Sequence, residues 1–305
     1  MSADRMTDSQ PFHLRLPATS ANLGPGFDAL GLAMALYLTI DAAPAEAFHI
    51  DATGRNADLC ASLDHNLILT TYIDVLAATG NPAPELHLRL ENEIPLGMGC
   101  GSSAAALLAG VLLANHFGGL NWTTQQILQE ACRREGHPDN VAACSLGGMT
   151  ASAISKGEVI TATCGEKLNW NLMLALPSAS LSTQKARALL PETYSRGDAV
   201  SNIQSTALLV AAFAQGRGDL LRTAMQDRLH QPYRMEACPL LPLLLPLAER
   251  PGVLGVALSG AGPSVLFITE DAALSATLPG IIREAAADPS LEILQTTIAA
   301  GALRQ

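Results

Sequence analysis

Positive charge is scarce in this chain: 18 lysines and arginines stand against 28 aspartates and glutamates, a formal net charge of −10 over 305 residues. No stretch of basic residues is long enough to track a phosphate backbone, which excludes an electrostatic nucleic-acid binder and favours a small partner. The six cysteines, at 60, 100, 132, 144, 164 and 238, never form a Cys-x-x-Cys. That scatter fits buried thiols in a reducing compartment rather than a disulfide framework or a zinc site. The longest leucine-rich run, Leu240–Leu247, is interrupted by Pro242 and Pro246 and is too short to span a bilayer, so no membrane partner is expected. The opening residues, Met-Ser-Ala-Asp-Arg-Met-Thr-Asp-Ser-Gln, have no apolar centre, so residues 1–11 read as a loose tail and the protein as cytoplasmic. Internal repeats and low-complexity segments are absent too. What remains is a chain that is 49% hydrophobic and long enough for two domains with sizeable cores.

The organising stretch is Ile94–Ala106, Ile-Pro-Leu-Gly-Met-Gly-Cys-Gly-Ser-Ser-Ala-Ala-Ala. Leu86, Leu88 and Leu90 alternate with His87 and Arg89 as a half-buried strand, and the run from Ser103 to about Phe117 is apolar almost all round, as in a central helix. Gly97, Gly99 and Gly101 join the two. A glycine loop entering a helix suits an anion, because its amides turn inward and the first helical turn adds unpaired donors. Ser102 and Ser103 stand at the mouth, where a hydroxyl caps the helix, touches phosphate or ligates Mg²⁺. The loop has no Walker A lysine, and Ser102 stands where a dinucleotide fingerprint needs its third glycine. On the residues alone, the alternative is that the glycines serve only a close-packed helix entry.

Elsewhere, Phe12–Pro17 reads as a strand leading into Ala-Thr-Ser-Ala-Asn-Leu-Gly-Pro-Gly-Phe-Asp, residues 18–28, whose glycines and proline force a turn presenting Asn22 and Asp28 together. Leu32–Ile40 is a strand with Phe48–Ala52 as its expected partner across Pro44, and Asp64-His65-Asn66 precedes a helix over Leu67–Ala78. A second helix, Gln125–Arg134, ends at Glu135-Gly136-His137-Pro138-Asp139-Asn140, a tight fold that lets Glu135, Asp139 and Asn140 point to one spot. His137 with Cys132 or Cys144 matches no zinc spacing. The second half offers strands at Val159–Thr163 and Leu172–Leu176, then helices at Asp198–Gln215 and Asp219–Leu229. Strands at Gly252–Leu258 and Val265–Thr269 follow around a glycine turn, then a helix at Ala272–Ala286 and a strand at Leu291–Thr297. On the residues alone, Asn22 and Asp28 could simply close turns, and Arg187 could be a solvated helix charge.

The string Pro-x-x-x-Gly-x-Gly-Ser-Ser-Ala-Ala, residues 95–105, resembles the phosphate loop of the GHMP kinases, the superfamily of galactokinase, homoserine kinase, mevalonate kinase and phosphomevalonate kinase. Cys100 replaces the leucine most members carry. The loop at 18–28 resembles the first superfamily motif, and Ser259-Gly260-Ala261-Gly262-Pro263-Ser264 the third. Ser-Ala-Asn-Leu-Gly-x-Gly-Phe-Asp, Glu-Gly-His-Pro-Asp-Asn-Val-Ala, Ser-Thr-x-x-Ala-Arg-x-x-Leu-Pro and Gln231-Pro232-Tyr233-Arg234, where the family has Glu-Pro-x-Arg, are similar to the homoserine kinase branch.

The resemblance implies an α+β fold of two lobes, a ribosomal S5 domain 2-like N-terminal lobe over 12–155 that binds ATP and a ferredoxin-like C-terminal lobe over 156–305 that completes the substrate site. It implies ATP and Mg²⁺ as cofactors, L-homoserine as substrate and a homodimer. Pro95, Gly97, Gly99, Gly101, Ser102, Ser103 and Ala104 would hold the phosphates, Asn66 the base, and Ser103 with Glu135 the metal. Asn22, Asp28, Asn140, Arg187 and Arg234 would bind the substrate, with Asp28 pairing the ammonium and the two arginines clamping the carboxylate. Asn140, Asp139 and Thr183 are the candidates for the chemistry, Asp139 as the only nearby carboxylate left to act as base. The alternatives are a GHMP kinase for another small hydroxylated metabolite and a nucleotide-binding regulator that has lost catalysis.

Overall fold

The computed structural model describes residues 11–270 and 272–304; the expected tail over 1–11 lies, except for its last residue, outside them. Alternating burial builds the first sheet. In β1 (Phe12–Asn22) and β2 (Gly26–Pro44), Leu14, Leu16, Leu32, Met34 and Ile40 are fully buried, and the two strands pair antiparallel about a turn at residues 23–25. At 19 residues β2 is long enough to serve two further neighbours. Its second half pairs with β4 (Leu86–Asn92) and Leu30–Leu32 pair with β5 (Met149–Ser155), which continues into a hairpin with β6 (Glu158–Cys164).

The strand containing Ile50, β3 (His49–Gly54), does not pair with β2 as the sequence suggested. The Leu86, Leu88 and Leu90 row of β4 takes that place, and β3 adds parallel to the far side of β4. A parallel pair needs a crossover, here supplied by α1 (Ala57–Ala61) and α2 (Leu67–Ala78). Asn66 caps α2 as expected, accepting from the amides of Ile68 and Leu69. Helix α3 (Ser102–Phe117) lies against α2, with Leu108, Leu112, Tyr72 and Leu76 in one buried cluster with Leu88 and Leu90. Each such side chain contributes about 1.5–3 kcal/mol by leaving water. Then come α4 (Thr124–Glu135), opened by a Thr123–Gln126 capping box, and α5 (Asp139–Leu146), a helix the sequence reading did not foresee.

The second sheet comprises β7 (Asn171–Leu176), β8 (Val253–Leu258), β9 (Val265–Thr269) and β10 (Glu292–Thr297), in the order β10-β7-β9-β8, all antiparallel. Helices fill the connections on either side of the β8–β9 hairpin: α6 (Thr183–Ala188), α7 (Arg196–Gln215), α8 (Leu221–Ala224), α9 (Gln231–Arg234) and α10 (Leu240–Leu244) before it, α11 (Ala272–Ala285) after. That is the ferredoxin-like β-α-β-β-α-β pattern expected. Period-two alternation splits the sheet between two cores. Leu172, Leu174, Leu266 and Ile268 join the core of the first lobe, while Met173, Ala175, Val265 and Phe267 pack with α10 and α11. The proline-broken leucine run therefore serves the second core, with Leu240, Leu241 and Leu244 buried.

Two further expectations are corrected. A helix over Asp219–Leu229 is cut short after α8, because the Asp227 carboxylate accepts from the amides of Leu229, His230 and Gln231 and turns the chain. The lobe boundary drawn at 155/156 falls inside the β5–β6 hairpin, so the first sheet continues to Cys164. The final strand, β11 (Leu303–Arg304), returns to pair with β1. All six cysteines are free, four of them buried, as their scatter suggested.

Candidate active site

Three loops meet where the two lobes face each other. The glycine loop reaches α3 through Gly97, Gly99 and Gly101, all with φ between 71° and 73°. Left-handed backbone alone favours glycine, and crowding reinforces it at Gly101, where a Cβ would lie 1.8 Å from the Thr19 hydroxyl. The loop is tied to the first-motif strand by the Thr19 amide, which donates to Cys100 O at 3.0 Å, and to the third motif by the Ser259 hydroxyl, which donates to Gly99 O at 2.7 Å. The third motif joins the first through Gly260 N donating to Ala21 O and Asn22 Nδ2 donating to Gly260 O at 2.9 Å. Cys100 is buried, and burial pushes its thiol up to about 12, so it acts as the small apolar residue its position requires.

These loops and α6 enclose a cavity of about 190 Å³ lined by Asn22, Asp28, Gly97, Gly99, Gly101, Ser102, Ser103, Glu135, Asp139, Asn140, Thr183, Arg187 and Arg234. Every residue singled out in the sequence is thus on one cavity except Asn66, Pro95 and Ala104. Pro95 and Ala104 are buried away from the lining. The Asn66 amide is engaged within the chain, its oxygen with α2 and its nitrogen with Cys60 O and Ser62 O.

Helix α3 begins at Gly101, which offers no side-chain cap, so its first-turn donors and positive dipole end are available to an anion. Ser103 Oγ donates to Glu135 Oε2 at 2.9 Å, joining the start of α3 to the end of α4. Burial raises the Glu135 pKa; the neighbouring Asp139 charge adds to this, while His137 and the Ser103 hydroxyl oppose it. A half-buried carboxylate with a hydroxyl beside it and no direct cationic hydrogen-bond partner among the described residues is a donor set that a hard divalent cation fits.

Asp139 and Asn140 start α5. Asn140 Oδ1 accepts from Thr19 Oγ1 at 2.7 Å, which directs its amide nitrogen away from β1. The Asp139 Oδ1 accepts from the Asn140 amide at 2.7 Å and lies 2.5 Å from His137 Nδ1. Burial works against a charged His137, but the hydrogen bond and charge of Asp139, with Glu135 and Asp28, outweigh it and raise its pKa.

From the second lobe, Arg187 in α6 meets Asp28 in a two-point ion pair. Arg234 is 1% exposed; its Nε donates to Ala186 O and its Nη1 contacts His230 Nδ1 at 3.0 Å and Gly260 O at 3.4 Å. The Phe27 ring lies beneath both arginines, 5.4 and 5.6 Å from their guanidinium carbons. The sequence reading passed over Thr19, Phe27 and His230, all of which hold or face site residues. Thr19 and Phe27 lie within the first motif, and His230 directly precedes Gln231-Pro232-Tyr233-Arg234.

Family comparisons agree with this geometry. Residues 66–148 match the GHMP kinases N terminal domain and residues 209–283 the GHMP kinases C terminal domain. The structure aligns over its whole length, and over all of the other chain, with the crystal structure of homoserine kinase from Cytophaga hutchinsonii at a TM-score of 0.82 and 24% identity, a likeness of fold. Fold, glycine loop and cleft define a GHMP kinase. The homoserine kinase of Solibacter usitatus is 49% identical over 85% of both chains, and that of Deinococcus radiodurans 40% identical over 88% of both. Within the class, the chain belongs to the homoserine kinase family.

Proposed function

We propose that this kinase transfers the γ-phosphoryl group of ATP to the side-chain hydroxyl of L-homoserine, giving O-phospho-L-homoserine and ADP for threonine synthesis. The observation that carries the reading is the single cavity that joins an anion-binding helix start, an Asp28 carboxylate and two arginines. A zwitterionic amino acid uses both charges there, and a neutral sugar uses neither.

In this reading the glycine-loop amides and the first turn of α3 hold the β- and γ-phosphates. Ser103 and Glu135 would hold Mg²⁺, which supplies neutralisation of the phosphate charge when bound. Asp28 takes the substrate ammonium, and Arg187 and Arg234 take its carboxylate. Asn140, its oxygen engaged by Thr19, donates from its amide nitrogen to the attacking hydroxyl oxygen, with Thr183 across the cleft in α6. The new bond joins that oxygen to the γ-phosphorus as the bond to the β–γ bridging oxygen breaks, and the hydroxyl proton passes to a phosphoryl oxygen or water. A loose transition state places little demand on a base, and Asp139 is already engaged by His137 and the Asn140 amide. The catalytic work is therefore positioning and charge stabilisation.

The biosynthetic role supports a cytoplasmic location, and family analogy supports a homodimer. Among the described residues no helix is long and apolar enough to cross a membrane. An ADP-release assay across homoserine, mevalonate, galactose and shikimate tests the assignment. Turnover is expected with homoserine, and its absence would overturn the substrate.

A further inference from the structure

His230 is fully buried and touches both halves of the substrate pocket without lining it. Its Nε2 lies 2.7 Å from Gly24 O, in the loop that presents Asn22 and Asp28. A carbonyl oxygen only accepts, so Nε2 carries the proton and Nδ1 is left as an acceptor. That acceptor receives Nη1 of Arg234 at 3.0 Å. The Arg234 Nε is engaged with Ala186 O, which leaves Nη2 without a hydrogen-bond partner among the described residues, on a side chain that lines the cavity. The imidazole also stacks on Phe27, with centroids 5.5 Å apart.

The backbone around His230 is fixed by Asp227, whose Oδ2 also lies 3.5 Å from the His230 Nε2. Asp227 Oδ2 accepts from the amides of His230 and Gln231, and Gln231 Oε1 accepts from Leu258 N at 2.7 Å. Gln231, where the family has glutamate, thus anchors α9 to β8. On the opposite side Pro25 O accepts from Asn202 Nδ2 and Thr206 Oγ1, so the first-motif loop is held from the second lobe at two successive carbonyls.

We propose that His230 is a positioning residue that fixes the separation between the Asp28 loop and the free edge of Arg234, and through it the enzyme's preference for a substrate with both an ammonium and a carboxylate. One rigid ring bridges a backbone carbonyl of the first lobe and a guanidinium of the second. A leucine of similar bulk preserves packing but leaves Gly24 O and Arg234 Nη1 without that partner. A glutamine carries an N–H donor at one end of its amide and an oxygen acceptor at the other, and so reproduces both contacts. The proposal rests on homoserine being the substrate, and wild-type turnover with homoserine is measured first; a failure there refutes the substrate and not the bridge.

Steady-state kinetics of His230→Leu and His230→Gln then test it, with circular dichroism and thermal melting as controls for folding. In His230→Leu, KM for homoserine is expected to rise on the order of tenfold or more while KM for ATP stays within about twofold, as loss of one charge-assisted contact implies. The ratio of kcat/KM for homoserine over 4-hydroxybutyrate, which lacks the ammonium, is expected to fall. His230→Gln is expected to recover most of both losses. An unchanged KM for homoserine, a parallel rise in both KM values, or a glutamine variant no better than leucine would overturn the proposal. If His230→Leu does not fold, His230→Asn, too short to reach both partners, replaces it in the comparison with His230→Gln.

Discussion

Arg187 and Asp28 grip each other across the cleft, Nη2 to Oδ1 at 2.6 Å and Nη1 to Oδ2 at 2.9 Å, although 159 residues separate them. The hydrogen bond to Asp28 raises the Arg187 pKa further, so its charge is permanent in any working range. Each partner is also the proposed receiver of one substrate charge. A bound zwitterion then substitutes for both halves of the pair at once, its ammonium for Arg187 and its carboxylate for Asp28, and no buried charge is left alone. Arg187→Ala is expected to raise KM for homoserine on the order of tenfold or more while sparing KM for ATP. Steady-state kinetics with each substrate varied in turn measures both. An unaltered homoserine KM would exclude Arg187 from the clamp.

Glu135 gives a prediction about the cation. Replacing this carboxylate by the isosteric amide removes its charge while leaving an acceptor for Ser103. Glu135→Gln is expected to lower kcat on the order of 100-fold and to raise the magnesium concentration needed for half-maximal rate. Chelation of magnesium should stop the wild-type enzyme. Titrating MgCl₂ against rate for both proteins is the measurement, and superimposable curves would remove Glu135 from the cation site.

His137 predicts a pH dependence of stability. Burial pulls its pKa down, but Asp139, Glu135 and Asp28 hold it above the ordinary 6.5. A raised folded-state value means that the folded protein binds the proton more tightly than the unfolded chain. The contribution is therefore complete below the unfolded value and fades as pH rises through the folded one. Glu135, also raised, changes stability in the same direction. His137→Gln should accordingly cost more stability at about pH 5.5 than at about pH 9, compared by urea denaturation. A cost that does not vary with pH would show that the pair contributes no linked stability.

Gly101 and Gly80 have the same φ of +71°, yet a Cβ on Gly101 meets Thr19 Oγ1 at 1.8 Å, and one on Gly80 meets nothing within 4 Å. Gly80→Ala should cost only the left-handed penalty of ~1–2 kcal/mol. Gly101→Ala should cost clearly more, and should lower kcat by displacing the Thr19 contact to Asn140. Denaturant midpoints and kcat for the two variants decide this. Equal costs would mean that the loop yields freely.

Helices α2 and α7 were legible because their buried positions recur near 3.6 residues and their ends carry Asn66 or Gly216, and α3 and the inner strands of the second sheet because they are almost unbroken apolar runs bounded by glycine or polar turns. The place of β3 was not, since Phe48–Ala52 would satisfy either neighbour locally and only the apolar row of β4 decides between them. The break before Leu229 was hidden because it depends on one side chain, Asp227, folding back on three amides. The site was legible as motifs and opaque as contacts. Asn22, Asp28 and Arg187 stood out as residues, whereas the roles of Thr19 and His230 exist only through partners far away in sequence. Asn66 illustrates the converse, a residue prominent in the sequence whose side-chain amide the fold engages in capping.

Because β11 lies beside β1, the first and last strands of the described residues are neighbours in one sheet. During synthesis the first sheet must therefore wait with an open edge at β1 until the second sheet has left the ribosome. The first lobe therefore does not correspond to a continuous gene segment, so cutting the coding sequence in the middle would not yield two self-contained pieces.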